Sequence, residues 1–191
     1  MQAAVQTEAF VYASSVFNGL ARTAFRQQEN GCGSAVLFNA PRFDIEVSYI
    51  AGCVAAELSH SYDRVLLADG RAIVKLAQQL LASVEHCPVR VGKAGVWSLG
   101  QHHITGSGFS DKNAVPGRIA EVMKVFRAKF DHVVIDVSTL AGRPELEELT
   151  REAEGTIVVV RTGCTTEQEV LRCSRAITEA GGKILGSVLT A

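Results

Sequence analysis

The sequence predicts an α/β domain, with a mainly parallel sheet and helices on both faces. Three observations carry that expectation. Five short runs, Ala35–Phe38, Val65–Leu67, Val133–Ile135, Ile157–Val160 and Ile184–Leu189, are nearly continuous apolar β-formers, as strands covered on both faces are. The stretches between them place apolar residues at helical spacing. Strand alternating with helix then calls for parallel pairing through right-handed crossovers. A chain of 191 residues, 47% hydrophobic and 20% charged, suffices for one such domain with a full core. We expect residues 1–30 to form an N-terminal helical extension and 34–191 the α/β core.

Each element follows from a local pattern. Residues 12–28 read as an amphipathic helix, because Val16, Phe17, Leu20, Ala24 and Phe25 recur on one side. Gly31-Cys32-Gly33 ends it, and Ser34 to Phe38 is the first strand. A helix from Glu46 to Ser59 follows, then Arg64 to Asp69, an apolar strand ending on an acid. Residues 72–86 carry Ile73, Leu76, Leu80, Leu81 and Val84 on one face and read as a helix. Residues 88–99 hold one or two short strands, including Ala94 to Leu99, and the Gly-, Ser-, His- and Asn-rich stretch from Gly100 to Ala114 reads as a surface loop. Pro116 to Lys129 is amphipathic, with Ile119, Val122, Met123 and Phe126 aligned. His132 to Asp136 is a second strand ending on an acid. Glu145 to Glu154 is a charged helix, Thr156 to Arg161 a strand, Thr166 to Gly181 a helix, and Ile184 to Leu189 the last strand.

Composition excludes several function classes. The formal net charge of −1 supplies no global basic field for nucleic acid or acidic lipid. The five cysteines, Cys32, Cys53, Cys87, Cys164 and Cys173, form no Cys-x-x-Cys pair, which fits a reduced cytosolic protein without a metal site. The first ten residues lack a basic region followed by an apolar core. The longest apolar runs fall far short of the ~20 residues that span a bilayer. Membrane association is therefore expected only through a partner.

The segment between the first strand and its helix is the most informative. Asn39-Ala40-Pro41-Arg42-Phe43-Asp44-Ile45-Glu46-Val47-Ser48 sits where a phosphate-binding loop keeps its glycines and lysine, a P-loop NTPase-like arrangement. Here it has neither. Glycines let backbone N–H groups close around phosphate oxygens, and lysine neutralises their charge. A carboxylate at Glu46 within a few ångströms of a phosphate costs on the order of several kcal/mol at an effective dielectric near 20. Each charge-assisted hydrogen bond lost is worth ~1.5–3 kcal/mol, whereas millimolar binding amounts to only about 4 kcal/mol. Tight ATP binding in the usual geometry is not expected. What survives is Ser48, at the place of a magnesium-binding hydroxyl, with Asp136 and Asp69 as strand-end carboxylates. Either aspartate alone reads equally well as a helix or turn cap. Together with the strand–loop–helix they point to descent from a nucleotide site, so Ser48, Asp69 and Asp136 are the candidate cofactor-binding remnants, with no catalytic residue and no metal ligand set assigned. Arg42 and Arg71 lie near the expected mouth, either as substitutes for lysine or as solvated arginines.

Other motifs have plain readings. His102-His103 with Asp111 lie in the polar loop, where adjacent residues do not share a face. Ser138-Thr139 after Asp136 suit ligand binding or turn hydrogen bonding equally well. Cys164 precedes a helix start, where a thiol pKa falls, but no histidine or second cysteine accompanies it. Thr166 with Glu169 three residues on reads as a capping box.

Over nearly its full length the chain resembles the bacterial tyrosine-kinase and polysaccharide co-polymerase ATPase family, within the MinD/ParA-type P-loop ATPases. Phe17 to Phe25 (FNGLARTAF) is similar to the family's helix before the first strand. Val36 to Ala55 corresponds to strand, Walker A loop and helix. Arg64 to Arg71 (RVLLADGR) resembles the second Walker motif, and Phe130 to Asp136 (FDHVVID) the Walker B motif. Ala94 to Gly100, Gly155 to Arg161 and Ala180 to Thr190 resemble later strands. The departures matter as much. Val47 stands at the Walker A lysine, Glu46 at its flanking glycine, Arg71 at the second acid of Asp-x-Asp, and Thr190 at the adenine-binding asparagine. Ser15 replaces a usual glutamate in the oligomerising helix, although Arg22 remains. The three tyrosines, Tyr12, Tyr49 and Tyr62, all precede the second strand, and none forms a tyrosine-rich tail. The resemblance implies a catalytically degenerate kinase-like protein, an interaction or regulatory subunit in exopolysaccharide or capsule assembly. Its expected partner is the cytoplasmic part of an inner-membrane polysaccharide co-polymerase, or a related kinase subunit, and homo-oligomers through the N-terminal helix are in character. It would be cytoplasmic, or peripheral at the inner membrane through that partner, without direct membrane insertion. No cofactor is expected; Mg-ATP belongs to the alternatives, an atypical ATPase or autokinase using Arg42 or Arg71, or a MinD/ParA-like positioning module.

Overall fold

The computed structural model describes residues 15–25, 33–42, 45–78, 89–91, 95–100, 104 and 118–191. The start of the expected first helix, the end of the 72–86 helix, Phe43, Asp44, and His102, His103 and Asp111 lie outside the described residues.

A helix over 15–24 (α1) precedes the first strand. The order then runs β1 (Ser34–Asn39), α2 (Ile45–Leu58), β2 (Val65–Asp69), α3 (Gly70–Gln78), β3 (Val89–Val91), β4 (Val96–Leu99), α4 (Arg118–Lys129), β5 (His132–Asp136), a short 3-10 turn (Ser138–Leu140), α5 (Pro144–Glu152), β6 (Gly155–Arg161), α6 (Glu167–Glu179) and β7 (Ile184–Thr190). All seven strands form one sheet in the order β3-β4-β2-β5-β1-β6-β7. Every pair is parallel except β3 with β4, an antiparallel hairpin at one edge. The predicted class holds, down to the continuous apolar strands: all six residues of β1 are buried.

The two faces carry separate cores. On one, Val47, Ile50, Val54 and Leu58 of α2 pack on Val36, Phe38, Val134 and Ile157, with Ala21 and Ala24 of α1 alongside. On the other, α3, α4 and α5 bury Ile73, Leu76, Met123, Phe126 and Leu149 against Leu37, Leu66 and Ile135. Helix α6 lies beside α5 and against β7. Two backbone details set the frame. Gly33 donates its N–H to the carbonyl of Arg127 at 3.0 Å. A Cβ there would fall 1.8 Å from the carbonyl oxygen of Phe130, so the end of α4 can approach β1 only because residue 33 has no side chain. At the start of β5, buried His132 meets Ser34 Oγ through Nδ1 at 3.1 Å and is edged by Phe25 and Tyr62, with ring centroids at 4.9 and 4.1 Å. Burial pushes its pKa below the ordinary histidine value, against a smaller opposing pull from Asp131.

Two helix starts differ from expectation for local reasons. Helix α3 begins at Gly70 rather than residue 72, because Asp69 Oδ1 accepts the N–H of Arg71 at 2.9 Å and acts as its cap. Helix α5 begins at Pro144, where a missing N–H costs no hydrogen bond. Ser138-Thr139 lie in the 3-10 turn after β5.

Candidate functional site

In parallel α/β sheets, ligands gather at the carboxyl ends of the strands. Register fixes which residues meet there. Asp69 ends β2 directly opposite Asp136 at the end of β5, and Asp136 is level with Phe38 of β1. The segment after β1 thus arrives beside both acids.

Ser48, in the second turn of α2, turns its hydroxyl toward β5 and donates to Asp136 Oδ2. Asp136 Oδ1 accepts the backbone N–H of Ser138 at 2.9 Å and the hydroxyl of Ser138 at 2.7 Å. Asp69 Oδ1, besides capping α3, accepts from Thr139 Oγ1 at 3.5 Å. The three residues picked from sequence therefore converge, and each aspartate also serves a turn or a helix start. Arg71 points away along this edge, its Nε donating to the carbonyl of Thr139 at 3.2 Å.

The residues at the lysine and glycine positions have other occupations. Val47 is fully buried in the α2 core, facing the sheet rather than the strand ends. Glu46 Oε1 lies 3.6 Å from Nε of Arg161, the last residue of β6. The sequence sets Glu46 where a phosphate would sit, with Arg42 and Arg71 as the candidate compensating cations; the cation beside Glu46 is instead Arg161. Arg42 is exposed to solvent, pairs through Nε with Glu169 Oε1 at 3.1 Å and reaches the carbonyl of Cys164 at 3.5 Å. Glu169 is itself held by the capping box expected from sequence: Thr166 Oγ1 accepts its N–H at 3.3 Å, and its carboxylate accepts the N–H of Thr166 at 2.9 Å. Those bonds lower the Glu169 pKa, helped by Arg42 and Arg172. Cys164 is exposed.

Sequence reasoning missed Arg161 and Glu169 as neighbours of the loop. A signal existed for Arg161, which ends its strand as Asp69 and Asp136 end theirs. The burial of Val47 was also legible, since 47, 50, 51, 54 and 58 form one helical stripe.

No protein-family model matches the chain, and no curated protein sequence matches it. Solved structures do. The VpsO kinase domain superposes with a TM-score of 0.71 at 16% identity, covering 97% of each chain. The kinase domain of Escherichia coli tyrosine kinase ETK gives 0.65 at 16% identity, over 87% of this chain and 70% of that one. A ParA family ATPase from Chlorobium tepidum gives 0.55 at 12% identity, over 85% and 86%. The chain thus has the P-loop NTPase-like fold that these tyrosine kinase domains and ParA-type ATPases share. Among the described residues no helix is long and apolar enough to cross a membrane.

Proposed function

We propose that this protein is a catalytically degenerate relative of the bacterial tyrosine kinases, working by docking rather than by phosphoryl transfer. One observation carries the reading. Where the fold calls for a glycine and a lysine, Glu46 is ion-paired to Arg161 and Val47 is buried in the core. A triphosphate cradle needs converging backbone N–H groups and a mobile cation. Helix α2 begins at Ile45, so residues 45–48 have already entered helical geometry, and among the described residues no lysine stands in this loop. The residues present do not fit a magnesium-bound triphosphate in the usual pose, and Ser48, Asp69 and Asp136 remain as its remnants. The likeness to tyrosine kinase domains supports a role beside such an enzyme. The partner in this reading is the cytoplasmic part of an inner-membrane polysaccharide co-polymerase, or an active kinase subunit, in exopolysaccharide or capsule assembly.

Isothermal titration with Mg·ATP tests it. We expect no binding tighter than high micromolar and no phosphate release from pure protein. A low-micromolar dissociation constant, or turnover abolished by Asp136→Ala, would establish the rival reading of an atypical ATPase.

A further inference from the structure

Beside β1, on the face opposite α2, the structure holds a cleft of about 620 Å³ between the residues after β1, the start of α5 and the side of α6. That volume lies within the range of small-molecule sites. None of Ser48, Asp69 and Asp136 lines it. Its walls are largely apolar, formed by Pro41, Pro144, Leu146, Ala176 and Ile177.

Charged groups surround those walls. Arg42, Arg143, Arg172, Glu147 and Glu169 line the cleft, and Arg143 pairs through Nε with Glu145 Oε2 at 3.5 Å. Arg42 and Arg172 both act on the single carboxylate of Glu169, which leaves positive charge in excess at that corner. Guanidinium groups match oxyanions in geometry as well as charge. A further donor lies deep in the wall. Asn39 is only 3% exposed; its Oδ1 is occupied by the N–H of Ala40 at 2.9 Å. Its Nδ2 donates to Cys173 Sγ at 3.7 Å, a weak acceptor that an incoming oxygen would better. Burial raises the Cys173 pKa, so that thiol stays neutral.

We propose that this cleft binds a small organic anion, an oxyanion carried on an apolar body of one or two rings. The ring system would rest on Pro41, Leu146 and Ile177, and the oxyanion would meet Arg172 and Asn39. Arg42, which sits in the former phosphate loop and is tied to Glu169, would bring that loop into contact with the ligand. The proposal goes beyond the docking role and does not depend on it.

Anilinonaphthalene sulfonate, an apolar ring system with one oxyanion, serves as the probe on the whole protein. We expect saturable, blue-shifted fluorescence at one site per chain. Arg172→Glu and Ala176→Trp change exposed positions of α6 and should each weaken the probe at least about tenfold, with circular dichroism unchanged. Phenyl phosphate and benzoate then compete for the same ring space with different oxyanions, and displacement by one over the other names the group preferred. The proposal is overturned by absence of saturable probe binding, by binding that either variant leaves intact, or by failure of both competitors. Displacement of the probe by micromolar Mg·ATP would uphold the cleft and overturn the loss of nucleotide binding, so the two readings fail separately.

Discussion

Replacing Val47 by lysine restores the residue a phosphate-binding loop would carry, and the structure predicts that this harms the protein. Val47 has no accessible surface and packs among Val36, Phe38, Ile50 and Val54. An ammonium in that cluster has neither water nor a carboxylate, so the lysine must enter neutral. Deprotonating an ordinary lysine at pH 7 costs about 4.6 kcal/mol. The position lies in the first turn of α2, where the helix dipole also disfavours a cation. Total stabilities of about 5–15 kcal/mol leave little room for such a loss. With an unfolding entropy near 2.1 cal/mol/K per residue, the melting temperature should fall by roughly 10 °C. Val47→Met, similar in polarity and flexible enough to repack, should lose much less. Thermal circular dichroism on parent and both variants measures this, and Mg·ATP titration of Val47→Lys accompanies it. A lysine variant that melts with the parent and gains low-micromolar ATP affinity would refute the reasoning, because residue 47 would then face the strand ends.

Two further outcomes follow from the core. His132 has a pKa below the ordinary 6.5 through burial, so the unfolded chain binds its proton more readily. Stability is then complete above about 6.5 and falls as pH drops toward the lower folded value; Glu169, whose depressed pKa matters only below about 4.5, lies outside that window. The melting temperature should decline from pH 7.5 to 5.5 in the parent and decline less in His132→Gln, and equal slopes would exclude the histidine. Gly33→Ala should destabilise by more than the ~1 kcal/mol typical of point changes, since its Cβ meets the backbone carbonyl of Phe130 at 1.8 Å; urea denaturation showing an unchanged midpoint would contradict the packing described.

What the sequence made legible depended on the range of the interaction. The central strands were legible because burial on both faces leaves an unbroken apolar run, as in Val133-Val134-Ile135. The capping box of Thr166 and Glu169 was legible because both partners lie within one helical turn. Asp69 and Asp136 could be placed at strand ends, and parallel register then brings them level. The pairs Glu46–Arg161 and Arg42–Glu169 were not legible, because each joins residues far apart in sequence through the path of a loop. The cleft was not legible either, since three segments far apart in sequence build it and only their packing brings them together.

The two strand-end aspartates illustrate why motif residues and activity must be argued separately. A strand-end carboxylate held for a cation needs partners that orient it, and so does one held for a turn. Asp136 takes two donors from Ser138 and one from Ser48, while Asp69 takes the N–H of Arg71 in the first turn of α3. Loss of either leaves backbone donors at the sheet edge without their acceptor, a cost of about 1–3 kcal/mol that does not involve nucleotide. Structural demand alone therefore suffices to hold both acids in place, with or without a phosphate ligand. Glu46 and Val47 carry the contrary information. A lysine at 47 contributes nothing to a core that excludes it, whereas valine fills that core. The informative positions for activity are those where the residue a phosphate loop requires would be a structural burden.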